Sequence, residues 1–195
     1  PARAIAVSGN YAFAATVGRL EIIDISTPSA PVLKVVDGDL EYTSTRLSTL
    51  RVSGNHAYLA VGNDKSGQLH VFDIASPTQT TRIAKYPLSG ASHALDISGD
   101  VAYVATLFKL DIIDISNPEE LQGTQHSFND VLTGIRVLGN YAYISSFTYG
   151  RFMVVDISKA AAPTLVGDVN LYGGIEGIDV ADSYAYVADR FGEYK

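Results

Sequence analysis

One phrase recurs along this chain, and a recurring phrase limits the possible folds more than any single motif does. "LEIIDISTPSAP" at Leu20–Pro31 returns as "LDIIDISNPEE" at Leu110–Glu120 and as "FMVVDISKAAAP" at Phe152–Pro163, with a looser copy at "LHVFDIAS". A second phrase precedes it: "IAVSGNYAFAA", "LRVSGNHAYLA", "LDISGDVAYVA", "IRVLGNYAYIS" and "IDVADSYAYVA". Its turn residues Gly9, Gly54, Gly99, Gly139 and Asp182 are spaced by 45, 45, 40 and 43. The aspartates of "DI", at Asp24, Asp73, Asp114 and Asp156, are spaced by 49, 41 and 42. A catalytic motif is needed once; a phrase copied at about 40–45 residues is a structural unit, and that period with four strands per unit is the mark of a β-propeller blade.

Each unit divides into strands. The first alternates, with apolar pairs such as Ile5/Val7, Leu50/Val52 and Ile135/Val137. A Gly-Asn or Gly-Asp turn follows, suited to a tight hairpin because both residues tolerate positive φ. The second strand centres on an aromatic (Phe13, Tyr58, Tyr103, Tyr143, Tyr186) preceded by alanine, so that large sits beside small and neighbouring sheets can nest. The third is a nearly continuous apolar run, as expected of a strand covered on both faces. Pro28, Pro77 and Pro118 are expected to end it, and the aspartate before the break to hydrogen-bond turn backbone. The fourth, as in "PVLKVV", is the least regular and reads as the outer edge. The expected fold is therefore all-β: four full four-stranded antiparallel blades, at about 4–48, 49–92, 93–132 and 133–175, and half of a fifth at 176–195.

The phrases resemble the LVIVD repeat, a propeller-type repeat of bacterial and archaeal extracellular or cell-surface proteins. The resemblance rests on "LEIIDIS", "LDIIDIS" and "MVVDIS", each after a "GN-Y-A-Y" type strand, and it covers almost the whole chain. It loosens in the second unit and in the fourth, where Ala160 stands in place of the first proline. The absence of tryptophan argues against WD40 and kelch blades. The resemblance implies a propeller fold and an extracellular, cell-surface or periplasmic location.

Composition narrows the function classes. A net charge of −7 argues against nucleic acid, whose phosphates need concentrated Lys and Arg. No apolar run approaches the roughly 20 residues that span a bilayer. There is no cysteine, hence no disulfide or thiolate site. The chain opens at Pro1 and its fifth unit stops after two strands. The expectation is a segment of a ring of roughly six to eight blades, completed by further blades of the same chain or, alternatively, of another subunit.

Consecutive antiparallel strands sort the connections onto two ends. The "GN" and "DIS" turns share one end, and the varying loops share the other, where binding residues tend to sit. The repeated Asp24, Asp73, Asp114 and Asp156, with Gly9, Gly54, Gly99 and Gly139, read as architecture. At the varying end, Arg19, Gln68, Lys109 and Arg151 stand just before strand three, as a row of donors for an anionic ligand or as stems covering apolar rims. Phe108, Phe147, Tyr149 and Phe191 nearby suit a sugar or peptide platform, or simple loop packing. His93 opens an inner strand there; His56, His70 and His126 occupy unrelated places and suggest no shared metal. The inner-strand row Ala6, Arg51, Asp96, Arg136, Asp179 alternates in charge and reads as interblade ion pairing, which fixes register more than it stabilises. "DGDLE" at Asp37–Glu41 reads as a solvated acidic loop over a calcium site, and "YGGIEG" at Tyr172–Gly177 as a bend between blades.

No catalytic motif is present, and no cofactor or metal is expected. The expected function is a non-catalytic extracellular binding or scaffold module that uses its varying loops to adhere to a protein or glycan. The alternative is an enzyme with a central-channel site partly supplied by other blades.

Overall fold

A computed structural model describes residues 2–16, 18–38, 47–63, 66–171 and 173–189. They form four four-stranded antiparallel sheets and one two-stranded sheet, in sequence order. The first contains β1 (Ala4–Ser8), β2 (Tyr11–Thr16), β3 (Arg19–Asp24) and β4 (Val32–Gly38). The second contains β5 (Leu47–Ser53), β6 (His56–Asn63), β7 (Ser66–Asp73) and β8 (Thr81–Leu88). The third contains β9 (Ser92–Ser98), β10 (Val101–Thr106), β11 (Lys109–Asp114) and β12 (Gln122–Ser127). The fourth contains β13 (Leu132–Leu138), β14 (Tyr141–Ser146), β15 (Arg151–Asp156) and β16 (Thr164–Asn170). The hairpin of β17 (Ile175–Ala181) and β18 (Tyr184–Asp189) is the fifth sheet. The full sheets run in simple meander order, with β4, β8, β12 and β16 at one edge. These are propeller-type blades, four complete and one of two strands. The later first strands begin at Leu47, Ser92, Leu132 and Ile175, one or two residues ahead of the expected boundaries.

Two compact units divide the chain: residues 1–92 with 117–121, and residues 93–116 with 122–195. Within the first unit, Phe13, Ala15, Leu20 and Ile22 of the first blade pack on Leu50, Leu59, Val61 and Phe72 of the second. Within the second, Tyr103, Ala105, Leu110 and Ile112 pack in the same way on Ile135, Ile144, Met153 and Val155. The register explains the repetition. Phe13 pairs with Ile22 and Ala15 with Leu20 across β2 and β3, so one face collects both the aromatic and the aliphatic side chains. Phe13 is 1% exposed; burying such a side chain contributes roughly 2–3 kcal/mol.

One expected detail is corrected. The third strands end at Asp24, Asp73 and Asp114, four residues before the prolines. The aspartate itself turns the chain: Asp24 Oδ1 accepts from the N–H of Ser26 at 2.9 Å, a bond that bends the backbone out of the ladder.

Candidate functional site

The two ends of each blade differ in chemistry. At the turn end, Gly9, Gly54, Gly99 and Gly139 lie at φ of 55° to 59°, and Asp182 takes the same conformation at 53° in the fifth blade. Asp24, Asp73, Asp114 and Asp156 each accept from the N–H two residues on, at 2.8 to 2.9 Å. The intervening N–H, of Ile25, Ile74, Ile115 or Ile157, donates to the carbonyl of the hairpin residue Asn10, Asn55, Asp100 or Asn140. The two turns of every full blade are thus tied together. Side-chain and backbone hydrogen bonds from Ser26, and then Lys34 at 3.5 Å, hold Asp24 below the usual carboxylate value. Backbone and then side-chain hydrogen bonds from Ser116 and Ser158 do the same for Asp114 and Asp156.

The loop end of the second unit is built from residues that do not repeat. The connector 128–131 lies between the β10–β11 loop and the β14–β15 loop and is bonded to both. Phe128 and Leu132 donate backbone N–H to the carbonyls of Phe108 and Leu107, and Phe147 donates to Val131. At its centre Asp130, 1% exposed, accepts from the Ser146 hydroxyl and from the N–H groups of Val131 (2.8 Å) and Thr148 (3.1 Å). Ser146 Oγ in turn accepts from the N–H of Arg151 at 3.2 Å. Gly150, at φ 56°, is close enough to Gly173 that a Cβ would collide with the Gly173 carbonyl, and Leu171 donates to the Gly150 carbonyl. On this braced backbone Phe108, Phe147 and Tyr149 stand 53%, 37% and 63% exposed. Asp130 has no counterpart in the repeat, and the only signal for it in the sequence is that "FND" interrupts the connector between two blades.

Arg19, Lys109 and Arg151 are the first residues of β3, β11 and β15, while Gln68 lies inside β7. Two of them are engaged with the outer strand of their own sheet. Lys109 Nζ reaches Gln125 Oε1 at 3.1 Å, and Arg151 donates through Nε and Nη2 to Asp168 Oδ2 at 3.0 and 2.8 Å. In both pairs the partner is the diagonal neighbour on the same face, where alternate residues of an antiparallel pair meet.

In the inner-strand row of the second unit, Arg136 Nε donates to Asp179 Oδ1 at 2.8 Å, and its Nη1 lies 3.8 Å from Asp96 Oδ1. Asp96 Oδ2 also accepts the backbone N–H of Val137 at 2.8 Å. In the first unit, Arg51 Nη1 donates to the Leu50 carbonyl at 3.1 Å, and Ala6 carries no charge. His93 is half-buried, and desolvation holds its pKa below the ordinary histidine value. His70 is buried, His56 lies against Tyr58, and His126 meets Thr124. Phe191 and Asp39–Glu41 lie outside the described residues. Among the described residues no three of His, Asp and Glu converge on one point.

A cleft of about 580 Å³ opens at the turn end between the third and fourth blades, beside Asp100, Asp114, Thr124 and Ala160. Its walls include Asp100, Asp114 and Ser116, whose hydrogen bonds shape the turns, beside the outer-strand residues Gln122 and Thr124, and Thr124 Oγ1 already donates to the Ala160 carbonyl at 3.4 Å. The braced aromatic loops are the stronger candidate site, because nothing in the repeat requires them.

A meander of four strands with its two turns tied at one end, repeated along the chain, defines a propeller-type repeat protein. The LVIVD repeat family matches at residues 1–36, 47–86, 89–122, 133–171 and 173–193, and this chain belongs to it. No curated protein matches. Among solved structures the chain is similar to the computationally designed Ika4 protein, at 18% identity and a TM-score of 0.62, over 79% of this chain and 89% of that one. It is likewise similar to the designed Ika8 protein, at 14% identity and a TM-score of 0.63, over 97% and 68%. Both likenesses concern the fold alone.

Proposed function

We propose that this chain is a non-catalytic binding or scaffold module, working outside the cell or at its surface, that holds a protein or glycan against the loop end of its third and fourth blades. The observation that carries this reading is the exposure of Phe108, Phe147 and Tyr149 on backbone fixed by Asp130 and three interloop hydrogen bonds. Exposed aromatic rings supply large contact areas with few torsions to freeze, and a braced loop has already lost its conformational freedom before the partner arrives. Asn129 and Thr148 are exposed beside them and supply a polar rim. Catalysis in the inner channel would ask for ionisable groups left available to substrate, whereas Arg136 is bonded to Asp179 and faces Asp96.

The test is binding to a panel of soluble polysaccharides and surface-exposed proteins, read by biolayer interferometry. The wild type is expected to hold at least one member at micromolar Kd. Phe108→Ala and Tyr149→Ala should each weaken it about tenfold, or ~1.4 kcal/mol, within the range of aromatic contacts. Circular dichroism should be unchanged, since both rings are largely exposed. A panel that does not bind at all, or binding indifferent to both substitutions, would overturn the reading.

A further inference from the structure

We infer that the braced loops of the third and fourth blades take an uncharged oligosaccharide, an inference that rests on the binding role proposed above. Phe147 is seated on bare backbone: a Cβ added at Gly174 would lie 2.8 Å from its ring, and the rest of the side chain, 37% exposed, turns outward. Phe108 and Tyr149 are more exposed still, on the same bonded loops. A pyranose presents a flat face of C–H groups, and the face of an aromatic ring carries the partial negative charge that attracts them. Hydroxyls run round the edge of the sugar, each both donor and acceptor. The groups beside the rings answer to that chemistry. The Asn129 amide, the Thr148 hydroxyl and the Tyr149 hydroxyl stand on exposed residues and can each donate and accept. Among the described residues, none of these three side chains is engaged in a hydrogen bond.

Charge separates a neutral glycan from an acidic one. The charged side chains at 107–109, 128–131 and 147–151 are directed away from the rings. Lys109 reaches Gln125 and Arg151 is bonded to Asp168, both partners lying on outer strands. The buried Asp130 is spent on Ser146 and on the N–H groups of Val131 and Thr148. An acidic glycan would therefore meet no cation aimed at the rings, and it would approach a chain of net charge −7. Size separates a glycan from a protein. The bonded segments 107–108, 128–131 and 147–150 amount to about ten residues, against roughly 20–30 a side in a standard protein interface. A short run of sugar rings covers such a patch, whereas a folded partner would need most of its contact elsewhere.

Isothermal titration calorimetry on the full chain tests it, with neutral polysaccharides (a β-glucan, a galactomannan, a xylan), acidic ones (alginate, hyaluronan) and the proteins of the panel. At least one neutral polysaccharide is expected to bind, about tenfold or more tighter than either acidic one. Its Kd should change by no more than about twofold between roughly 0.05 and 0.5 M NaCl, since salt screens only charge. Tyr149→Phe, which keeps the ring, and Asn129→Ala should each weaken it about threefold to tenfold, the range of one lost hydrogen bond. Should Asn129→Ala fail to give the wild-type circular dichroism spectrum, Thr148→Ala replaces it. Preference for an acidic glycan, a steep salt dependence, or indifference to both substitutions overturns the inference. Binding to panel proteins alone, weakened by Phe108→Ala and Tyr149→Ala, overturns it and leaves the binding role standing. Binding to no member of the panel overturns both.

Discussion

At one end of each full blade, Asp24, Asp73, Asp114 and Asp156 make the same hydrogen bond, and Ile25, Ile74, Ile115 and Ile157 repeat the tie between turns. At the other end of the third and fourth blades, a single buried carboxylate, Asp130, braces loops that share no sequence with their counterparts. The turn end consists of small bonds repeated in every full blade: the aspartate bonds between residues two positions apart, and the longer ties that join one turn to the other. The loop end of these blades depends on one residue bonded across 16 and 18 positions. Damage should therefore be shallow and distributed at the first, and deep and concentrated at the second.

The largest expected effect is at Gly150→Ala. Its φ of 56° disfavours a side chain, and the new Cβ would meet the Gly173 carbonyl, so we expect a loss of about 3 kcal/mol or more in urea unfolding. Next is Asp130→Ala, which removes the acceptor of one hydroxyl and two N–H groups at a buried site. About 2–4 kcal/mol should be lost, together with any binding at the aromatic loops, and Asp130→Asn should recover part of both. An Asp130→Ala loss no larger than that of a turn-end glycine would erase the contrast between the ends.

At the turn end, Gly99→Ala should cost about 1–2 kcal/mol, the penalty for a left-handed residue with a Cβ, because open space surrounds the position. The reverse change is available in the fifth blade. Asp182→Gly should stabilise by about 0.5–1 kcal/mol, since Asp182 holds the conformation that glycine holds elsewhere.

The smallest effects are in pH, and they fall in separate windows. Asp24, Asp114 and Asp156 are held below the ordinary aspartate value of 3.8, so their contribution is complete above 3.8 and is lost as the pH falls beneath it. The stability gap between the wild type and Asp114→Asn should accordingly close on acidification below that point. His93, at the loop end, is held below 6.5 by burial, so the unfolded chain takes up a proton before the folded one. Stability should fall as the pH drops through 6.5, and His93→Gln should flatten that part of the profile. Chemical denaturation at stepped pH reads both windows.

What was legible in the sequence follows the same division. The blades were legible because a period is reinforced at every copy: alternation, hairpin turn and apolar run recur in step. Lys109 and Arg151 read in the sequence either as a ligand-facing row or as stems covering apolar rims, because spacing along a strand shows which residues correspond. It does not show which neighbour a long side chain meets, and those neighbours are Gln125 and Asp168 on the outer strand. Asp130 carried no periodic signal, and its partner Ser146 lies on a strand that reads as ordinary in the repeat. Phe108, Phe147 and Tyr149 could be placed on loops by sequence, but their exposure depends on bonds to a connector whose course no pattern specifies.

The central claim is that recognition occurs at the braced loops and that the turn ends are architecture. Hydrogen–deuterium exchange, with and without the panel member bound most tightly, tests it most directly. The account predicts slowed exchange at 107–108, 128–131 and 147–150, and unchanged exchange at 99–100, 114–116 and 156–162. Protection confined to the turn-end segments would contradict it and move the site to the cleft beside Asp114.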